Sequence, residues 1–186
     1  MKILDVGCGN AKTPGAIGID FNARTAADIV CDLNHYPWPL PDNAFDRMVC
    51  NHIVEHAADF VRFVEELHRV ARAHAHVEIV TPHFSNRFAY TDPTHVRFLS
   101  LFSFDYFAHP PFRPSLISRA FETQSPVADF YSVARFEKTR AWLRFARPFR
   151  LTGVQWLANR FPHFYEAYLA FIFPARDLYF TLTVIK

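Results

Sequence analysis

The sequence predicts an α/β fold with a mostly parallel sheet, in one domain over residues 1–186. An apolar strand over residues 3–6 runs directly into a turn that contains glycines, as in nucleotide-binding α/β proteins. Further along, short apolar segments alternate with loops and with an amphipathic helix, an order that favours parallel strands. A chain of 186 residues, of which 51% are hydrophobic, is long enough to bury a substantial core.

The turn after the first strand is the first candidate binding site. Gly7 and Gly9 lack a Cβ atom, so the backbone can adopt a positive φ and a ligand can approach closely. A dinucleotide fingerprint, G-x-G-x-x-G, would need a third glycine where Lys12 stands, and Pro14 would break the helix that binds the pyrophosphate. A phosphate-binding loop also fails, because no glycine stands five residues after Gly7 or Gly9. A ligand with a diphosphate is therefore disfavoured.

Carboxylates beside the early strands favour a third ligand, S-adenosylmethionine. Asp5 precedes the turn, Asp20 ends the second apolar segment and Asp32 follows the third. This ligand has no phosphate and presents a sulfonium cation, a ribose diol and an adenine amino group. We predict that Asp20 accepts hydrogen bonds from both ribose hydroxyls. Alternatives stay open, because Asp20 and Asp32 could form turns after their strands and Asp5 could equally be a buried structural carboxylate.

The same segments resemble those of the class I S-adenosylmethionine-dependent methyltransferases. The matching segments are Leu4-Asp5-Val6-Gly7-Cys8-Gly9, Gly18-Ile19-Asp20, Cys31-Asp32-Leu33, Phe45-Asp46 and Asn51-His52-Ile53-Val54-Glu55-His56. Residues 92–98 and 173–180 are similar to segments of small bacterial and archaeal members of the family. In residues 10–15 the first helix looks shortened to a loop, and Ala11 stands where many members have a third glycine.

This resemblance implies a Rossmann-like, mostly parallel seven-stranded sheet with helices on both faces and an antiparallel closing strand. It implies that Asp32 accepts a hydrogen bond from the adenine amino group and that the Leu33 N–H meets an adenine ring nitrogen. The residues expected to bind the cofactor are Asp5, Gly7, Cys8, Gly9, Asp20, Phe21, Asp32, Leu33, Asn51 and His52. The last two would face the methionine end and the methyl acceptor.

The expected activity is methyl transfer from S-adenosylmethionine to a small-molecule acceptor. Two alternatives remain, a non-catalytic module that binds or senses S-adenosylmethionine and, with less support, a nicotinamide-dependent oxidoreductase.

Hydrophobic periodicity predicts the middle elements of the chain. Residues 59–72 have an apolar stripe opposite a charged face, which indicates an amphipathic helix with Asp59 as its N-cap. Residues 77–80 are a short apolar run that predicts a buried strand, and Pro82 should end it.

The rest of the chain is predicted to close the sheet. Residues 83–127 are rich in aromatic residues and prolines, so we expect irregular structure apart from a short helix over residues 100–107. Residues 130–146 and 178–185 should be an antiparallel pair of strands that frames a helical stretch. The domain then divides into a cofactor-binding half (1–82), an acceptor-side insertion (83–127) and a closing part (128–186).

An acid, an imidazole and a guanidinium lie close together in residues 90–97, after the strand that borders the acceptor in the resembled family. A histidine with a pKa near 6.5 can take a proton from an attacking hydroxyl or amine. We predict His95 as the general base or acceptor-positioning group, supported by Asp92 and Arg97, with His83 as the second choice. Alternatively, Asp92 and Arg97 form an ion pair and His95 only fills an interface.

Residues 52–56 spell H-x-x-E-H, the signature of a class of zinc peptidases. That chemistry needs both histidines on one helical face. Because His52 is placed at a strand end, its ring should diverge from that of His56, and we expect no metal.

Composition limits the partners. A net charge of +2 is too mild for nucleic acid, whose binding proteins carry a clustered basic face. Three separated cysteines favour reduced thiols and a cytoplasmic protein, and neither a signal peptide nor an apolar run of roughly 20 residues is apparent. Residues 142–173 mix aromatic residues with arginines. We expect this segment to pack on the sheet, and the alternatives are, next, an apolar pocket or a homodimer face and, with least support, contact with a membrane surface.

Overall fold

The computed structural model describes residues 1–109 and 131–186, and these contain seven strands in one sheet. The strands are β1 (Ile3–Val6), β2 (Ile17–Asp20), β3 (Ile29–Val30), β4 (Phe45–Asn51), β5 (Ala71–Pro82), β6 (Arg135–Arg144) and β7 (Asp177–Ile185). Their order is β3-β2-β1-β4-β5-β7-β6. Strands β1 to β5 pair in parallel, whereas β7 runs antiparallel to both β5 and β6. The predicted parallel sheet with an antiparallel closing strand is confirmed.

In the described residues, helices lie between β4 and β5, between β5 and β6, and between β6 and β7. They are α1 (Phe60–Val70), α2 (Phe88–Thr91), α3 (Arg147–Leu151), α4 (Val154–Arg160) and α5 (Pro162–Phe164), which continues as a π-helix (Tyr165–Leu169). Two 3₁₀ turns cover Val54–His56 and Asp105–Phe107. None of the helices in the described residues has both the length and the apolar character that a membrane span requires.

Helix α1 forms where its periodicity predicts. The Asp59 carboxylate accepts a hydrogen bond from the Arg62 N–H at 3.0 Å, which satisfies one of the first N–H groups of the helix. The apolar stripe, with Phe63, Val64 and Leu67, is fully buried. This face covers the side of the sheet that presents the continuous buried row Val6, Cys50, Ile79 and Phe180.

The first strands are joined by loops rather than helices. Residues 7–16 and 21–28 contain no helical turn, in agreement with the shortened first connection predicted for residues 10–15. Lys12 and Asp28 form an ion pair at 2.8 Å, and Asp28 also accepts from the Gly18 N–H at 2.7 Å. Both loops are therefore fastened to β2, next to the end of β1.

Some element boundaries differ from the prediction. Strand β5 starts at Ala71, directly after α1, and continues to Pro82 because that residue still lies opposite Asp177 of β7. Proline is tolerated at such a terminal position, where its missing N–H is not needed by the ladder. The short helix expected over residues 100–107 is only the 3₁₀ turn Asp105–Phe107. The predicted strand over residues 130–146 covers Arg135–Arg144. Residues 110–130 lie outside the described residues, and they include the last part, 110–127, of the predicted irregular segment.

Candidate functional site

The glycine turn at the end of β1 leaves room at one of its two glycines. Gly7 has φ +68° and Gly9 has φ +51°, values in the left-handed region that favours glycine. The Gly7 N–H donates to the Ile19 carbonyl at 2.8 Å, which binds the turn to β2. A Cβ atom on Gly9 would meet no atom within 4 Å. The accessible space for a ligand is therefore beside Gly9.

Asp20, at the end of β2, lies directly beside this turn. Its carboxylate is buried and accepts hydrogen bonds from the Gly9 N–H at 2.9 Å and from the Asn22 N–H at 3.0 Å. Each carboxylate oxygen has a second acceptor position. Phe21, the next residue, is 72% exposed. The structure thus brings an acidic group and an accessible aromatic ring to the glycine turn.

The other two early carboxylates have local backbone partners. Asp5 is buried and accepts from the Thr13 N–H at 2.6 Å, the kind of contact expected of a structural carboxylate. Asp32 is exposed, accepts from the Asn34 N–H at 2.9 Å and lies 2.8 Å from Nδ1 of His35. Asp32 therefore forms a turn after β3, although its exposed oxygens can still accept further hydrogen bonds.

Two further residues of the predicted cofactor set are largely buried. Cys8 lies in the turn with its thiol against Gly18. The pKa of this thiol is raised, mainly by its burial and to a smaller extent by the negative charges of Asp20 and Asp5. Leu33 packs in the core, and its carbonyl accepts from the Trp38 indole N–H at 3.1 Å.

The end of β4 carries a histidine and a buried glutamate. Asn51 is exposed, and His52 has φ +54° with Nδ1 3.2 Å from Oε1 of Glu55. This hydrogen bond raises the pKa of His52 above its usual range. Oε2 of Glu55 accepts from the Thr81 hydroxyl at 3.0 Å, at the end of β5. Glu55 therefore connects the ends of the two central strands.

His95 is positioned by a backbone carbonyl and not by Asp92. Its Nδ1 lies 3.1 Å from the Ala89 carbonyl oxygen, whereas its Nε2 is 3.9 Å from Asp92, beyond hydrogen-bond distance. Asp92 instead accepts from the hydroxyl and the N–H of Thr94, which lowers the pKa of the Asp92 carboxyl. Asp92 thus bonds within its own turn and lies beside His95 without a hydrogen bond to it, and its supporting role stays a prediction.

Arg97 contacts the backbone that follows β4. Its guanidinium donates to the carbonyls of Ala57, at 2.9 Å, and Ala58. Arg97 forms an ion pair neither with His95 nor with Asp92, so the alternative of an Asp92–Arg97 ion pair is wrong, whereas its supporting role stays a prediction. The cause lies in the backbone, where the Glu55 carbonyl accepts from the Val96 and Arg97 N–H groups and aligns this segment with the entry to α1.

His83 is a buried packing residue. Its Nδ1 lies 2.8 Å from the Ser85 hydroxyl and its Nε2 lies 3.2 Å from Oε1 of Glu166. Glu166 also accepts from the Leu101 N–H at 2.7 Å. Both ring nitrogens of His83 are therefore used inside the scaffold, and its role as the second choice of base stays a prediction.

The structure brings His56 next to His95, a pair that the sequence does not reveal. The two rings meet edge to face with centroids 4.7 Å apart. Nδ1 of His56 lies 3.0 Å from the Thr94 hydroxyl and 3.3 Å from the Thr94 carbonyl. The backbone bonds between Glu55 and residues 96–97 create this contact between distant parts of the chain, so no local pattern could have indicated it.

Comparison with known proteins adds a family match in the first half of the chain. The model of the methyltransferase domain family matches residues 4–79. A comparison with curated proteins finds no match to the sequence.

Several solved structures share the fold over the full length of this chain. The YcgJ protein of Bacillus subtilis is 15% identical, with a TM-score of 0.57, and the alignment covers 100% of this chain and 92% of that one. A methyltransferase solved in complex with the Haloferax volcanii Trm112 methyltransferase activator is 14% identical, with a TM-score of 0.55 and coverage of 100% and 83%. An S-adenosylmethionine-dependent methyltransferase of Mesorhizobium loti is 14% identical, with a TM-score of 0.52 and coverage of 98% and 90%.

Proposed function

We propose that this chain is a class I S-adenosylmethionine-dependent methyltransferase and that it methylates a small-molecule acceptor at the carboxyl ends of β4 and β5. The match of residues 4–79 to the methyltransferase domain family and the shared fold of the solved structures support this proposal. The observation that carries the proposal is the buried Asp20 carboxylate beside the open space at Gly9. We refer to this open position beside Gly9 and Asp20, at the ends of β1 and β2, as the recess.

The residues of this recess fit the cofactor. A ribose diol offers two O–H donors, and the Asp20 oxygens keep acceptor positions beyond their bonds to Gly9 and Asn22. Each such charge-assisted bond contributes roughly 1.5–3 kcal/mol. A dinucleotide would also place a ribose diol on such a carboxylate, so the glycine turn is what disfavours it. Lys12 stands where the dinucleotide fingerprint has its third glycine, and the described residues 7–16 contain no helix that could receive a diphosphate at its N-terminus.

Asp32, Leu33, Asn51 and His52 extend the proposed site on either side of this recess. Asp32 and the Leu33 N–H follow β3 and would meet the adenine. Asn51 and His52 end β4 and are exposed, so they would face the methionine end and the acceptor.

When bound, S-adenosylmethionine supplies a methyl group on a sulfonium, and transfer of that group disperses the positive charge. The protein then has to align the acceptor and, for a hydroxyl or amine, receive its proton. We assign this task to His95, because its Nδ1–H is directed to the Ala89 carbonyl and its Nε2 keeps a lone pair. Asp92, Arg97 and His83 act on the scaffold, through the contacts described above.

The proposal includes a cytoplasmic location and one functional methyltransferase domain over residues 1–186. Cys8, Cys31 and Cys50 are free thiols, which suits a reducing compartment.

Ligand-dependent thermal unfolding tests the cofactor, and product analysis tests the reaction. S-adenosylhomocysteine should raise the melting temperature, because a ligand that prefers the native state stabilises it, and NAD should not. With radiolabelled S-adenosylmethionine and a panel of small hydroxyl, amine and thiol acceptors, label should appear in a product. Stabilisation by NAD instead, or tight cofactor binding with no transfer to any acceptor, would contradict the proposal.

A further inference from the structure

We propose that Glu55, His56 and His95 bind one divalent transition-metal cation, of the chemical type of Zn²⁺, at the acceptor side of the site. One ligand atom from each of these residues lies within 4.8 Å of the other two. Two imidazoles with one carboxylate form a ligand set that suits Zn²⁺ and Fe²⁺. The sequence alone argued against a metal because it paired His56 with His52, whereas the fold pairs His56 with His95.

The hydrogen bonds of both imidazoles prepare them for coordination. A carbonyl oxygen only accepts, so Nδ1 of His95 must carry the hydrogen that bonds the Ala89 carbonyl. The Thr94 hydroxyl gives its own hydrogen to Asp92, at 2.6 Å, so Nδ1 of His56 must donate to Thr94 as well. Each ring therefore keeps its lone pair on Nε2. Metal-binding histidines are oriented in this way, with the second ring N–H on a carbonyl or carboxylate.

The carboxylate of Glu55 is held equally well. It is buried, and its two oxygens accept from the His52 ring and the Thr81 hydroxyl, so its position is fixed by β4 and β5. Each oxygen has a further lone pair for a cation. A positive ion beside this side chain would also offset the burial of its negative charge.

The cluster must contract slightly to close around an ion. With metal bonds of about 2.0–2.1 Å, the ligand atoms of a tetrahedral site lie about 3.4 Å apart. The widest separation in the cluster is within 4.8 Å, so a shift of about an ångström brings the atoms into position. Asp92, with Oδ2 3.9 Å from Nε2 of His95, stands where it could supply a fourth ligand.

In one respect this inference rests on the proposed function. A cation at this place would hold an acceptor hydroxyl and lower its pKa. The proton would then leave to solvent, and Nε2 of His95 would serve as a ligand instead of a base. Binding of the cation itself does not depend on methyl transfer.

Metal binding can be measured directly on the full chain. We expect EDTA-treated protein to take up one equivalent of Zn²⁺ by isothermal titration calorimetry. With Co²⁺ it should show visible d–d absorption bands that report nitrogen and oxygen ligands.

Variants test the residue assignment. His56→Ala and His95→Ala should each weaken Zn²⁺ binding at least tenfold, while His109→Ala, an exposed histidine outside the cluster, should not. His95→Gln retains a side-chain donor for the Ala89 carbonyl but lacks the imidazole, so it should fold normally and still lose affinity.

Either of two outcomes would overturn the site: no Zn²⁺ binding by folded wild-type protein, or binding that His56→Ala and His95→Gln leave unchanged. S-adenosylhomocysteine stabilisation is measured on the same metal-free samples. Cofactor binding without cation binding removes this inference alone, whereas cation binding without cofactor binding removes the proposed function alone.

Discussion

A Cβ atom on Gly7 would lie 2.5 Å from Cγ1 of Ile53, in the turn that follows β4. Real Cβ atoms do not approach another carbon so closely, so Gly7 is required by the packing of this protein on itself. Gly9 differs, because a Cβ there would enter open space. The two glycines of one motif therefore have separate tasks, since the first lets β1 and β4 end side by side and the second leaves room for a ligand.

Gly7→Ala should destabilise the protein strongly. The substitution places a side chain at φ +68° and forces it against Ile53, and the two effects together should lower the free energy of unfolding by roughly 2–4 kcal/mol. Urea denaturation followed by circular dichroism measures this change. Gly9→Ala is the matched control, because it meets only the backbone strain of φ +51° and should lose about 1 kcal/mol. Equal stability of the two variants would show that Ile53 gives way.

Asp20→Ala should weaken the binding of S-adenosylhomocysteine by at least tenfold. The variant removes the buried acceptors proposed for the ribose hydroxyls, and a loss of about 1.4 kcal/mol already corresponds to that factor. Isothermal titration calorimetry gives the affinity. Asp46→Ala is the control, since Asp46 also accepts a backbone N–H, from Lys2, but lies at the start of β4, away from the proposed site. Equal affinities of Asp20→Ala and the wild type would remove Asp20 from the site.

Local patterns were sufficient to predict most of the fold. Three predicted features depend only on residues that are neighbours in the sequence, and the structure contains all of them. They are the capped amphipathic helix α1, the glycine turn and the alternating strand β7. The end of β5 could not be predicted in the same way. The strand continues to Pro82 because this residue pairs with Asp177, the first residue of β7, which is distant in the sequence.

Long-range contacts also decide the acceptor side of the site. Residues 90–97 contain Asp92, His95 and Arg97 at a spacing that suggested a single catalytic group. The Glu55 carbonyl accepts hydrogen bonds from this segment and aligns it with the residues after β4. As a result, Arg97 donates to the carbonyls of Ala57 and Ala58, and the ring of His95 contacts that of His56. A sequence pattern identifies which groups are available there, but the backbone bonds between segments determine which of them meet.

The pair formed by His52 and Glu55 should make stability depend on pH. The hydrogen bond to Glu55 raises the pKa of folded His52 above the unfolded value of about 6.5. Folded protein then binds the proton more tightly, so the stabilisation is complete below about pH 6.5 and is lost as the pH rises through the folded pKa. The difference in unfolding free energy between the wild type and His52→Asn should shrink from pH 6 to pH 9. A constant difference across this range would contradict the pairing.

Glu166→Ala should lower stability without changing cofactor affinity. The variant leaves two buried donors, the Nε2–H of His83 and the N–H of Leu101, without their acceptor, which costs roughly 1–3 kcal/mol for each group. Both donors bond the same oxygen, Oε1, so Glu166→Gln retains a neutral acceptor for them and should recover part of the loss. Urea denaturation measures stability, and calorimetry with S-adenosylhomocysteine measures affinity. Both ring nitrogens of His83 are used within the scaffold, so we expect cofactor affinity to stay unchanged. Weaker cofactor binding at unchanged stability would instead place His83 and Glu166 in the binding site.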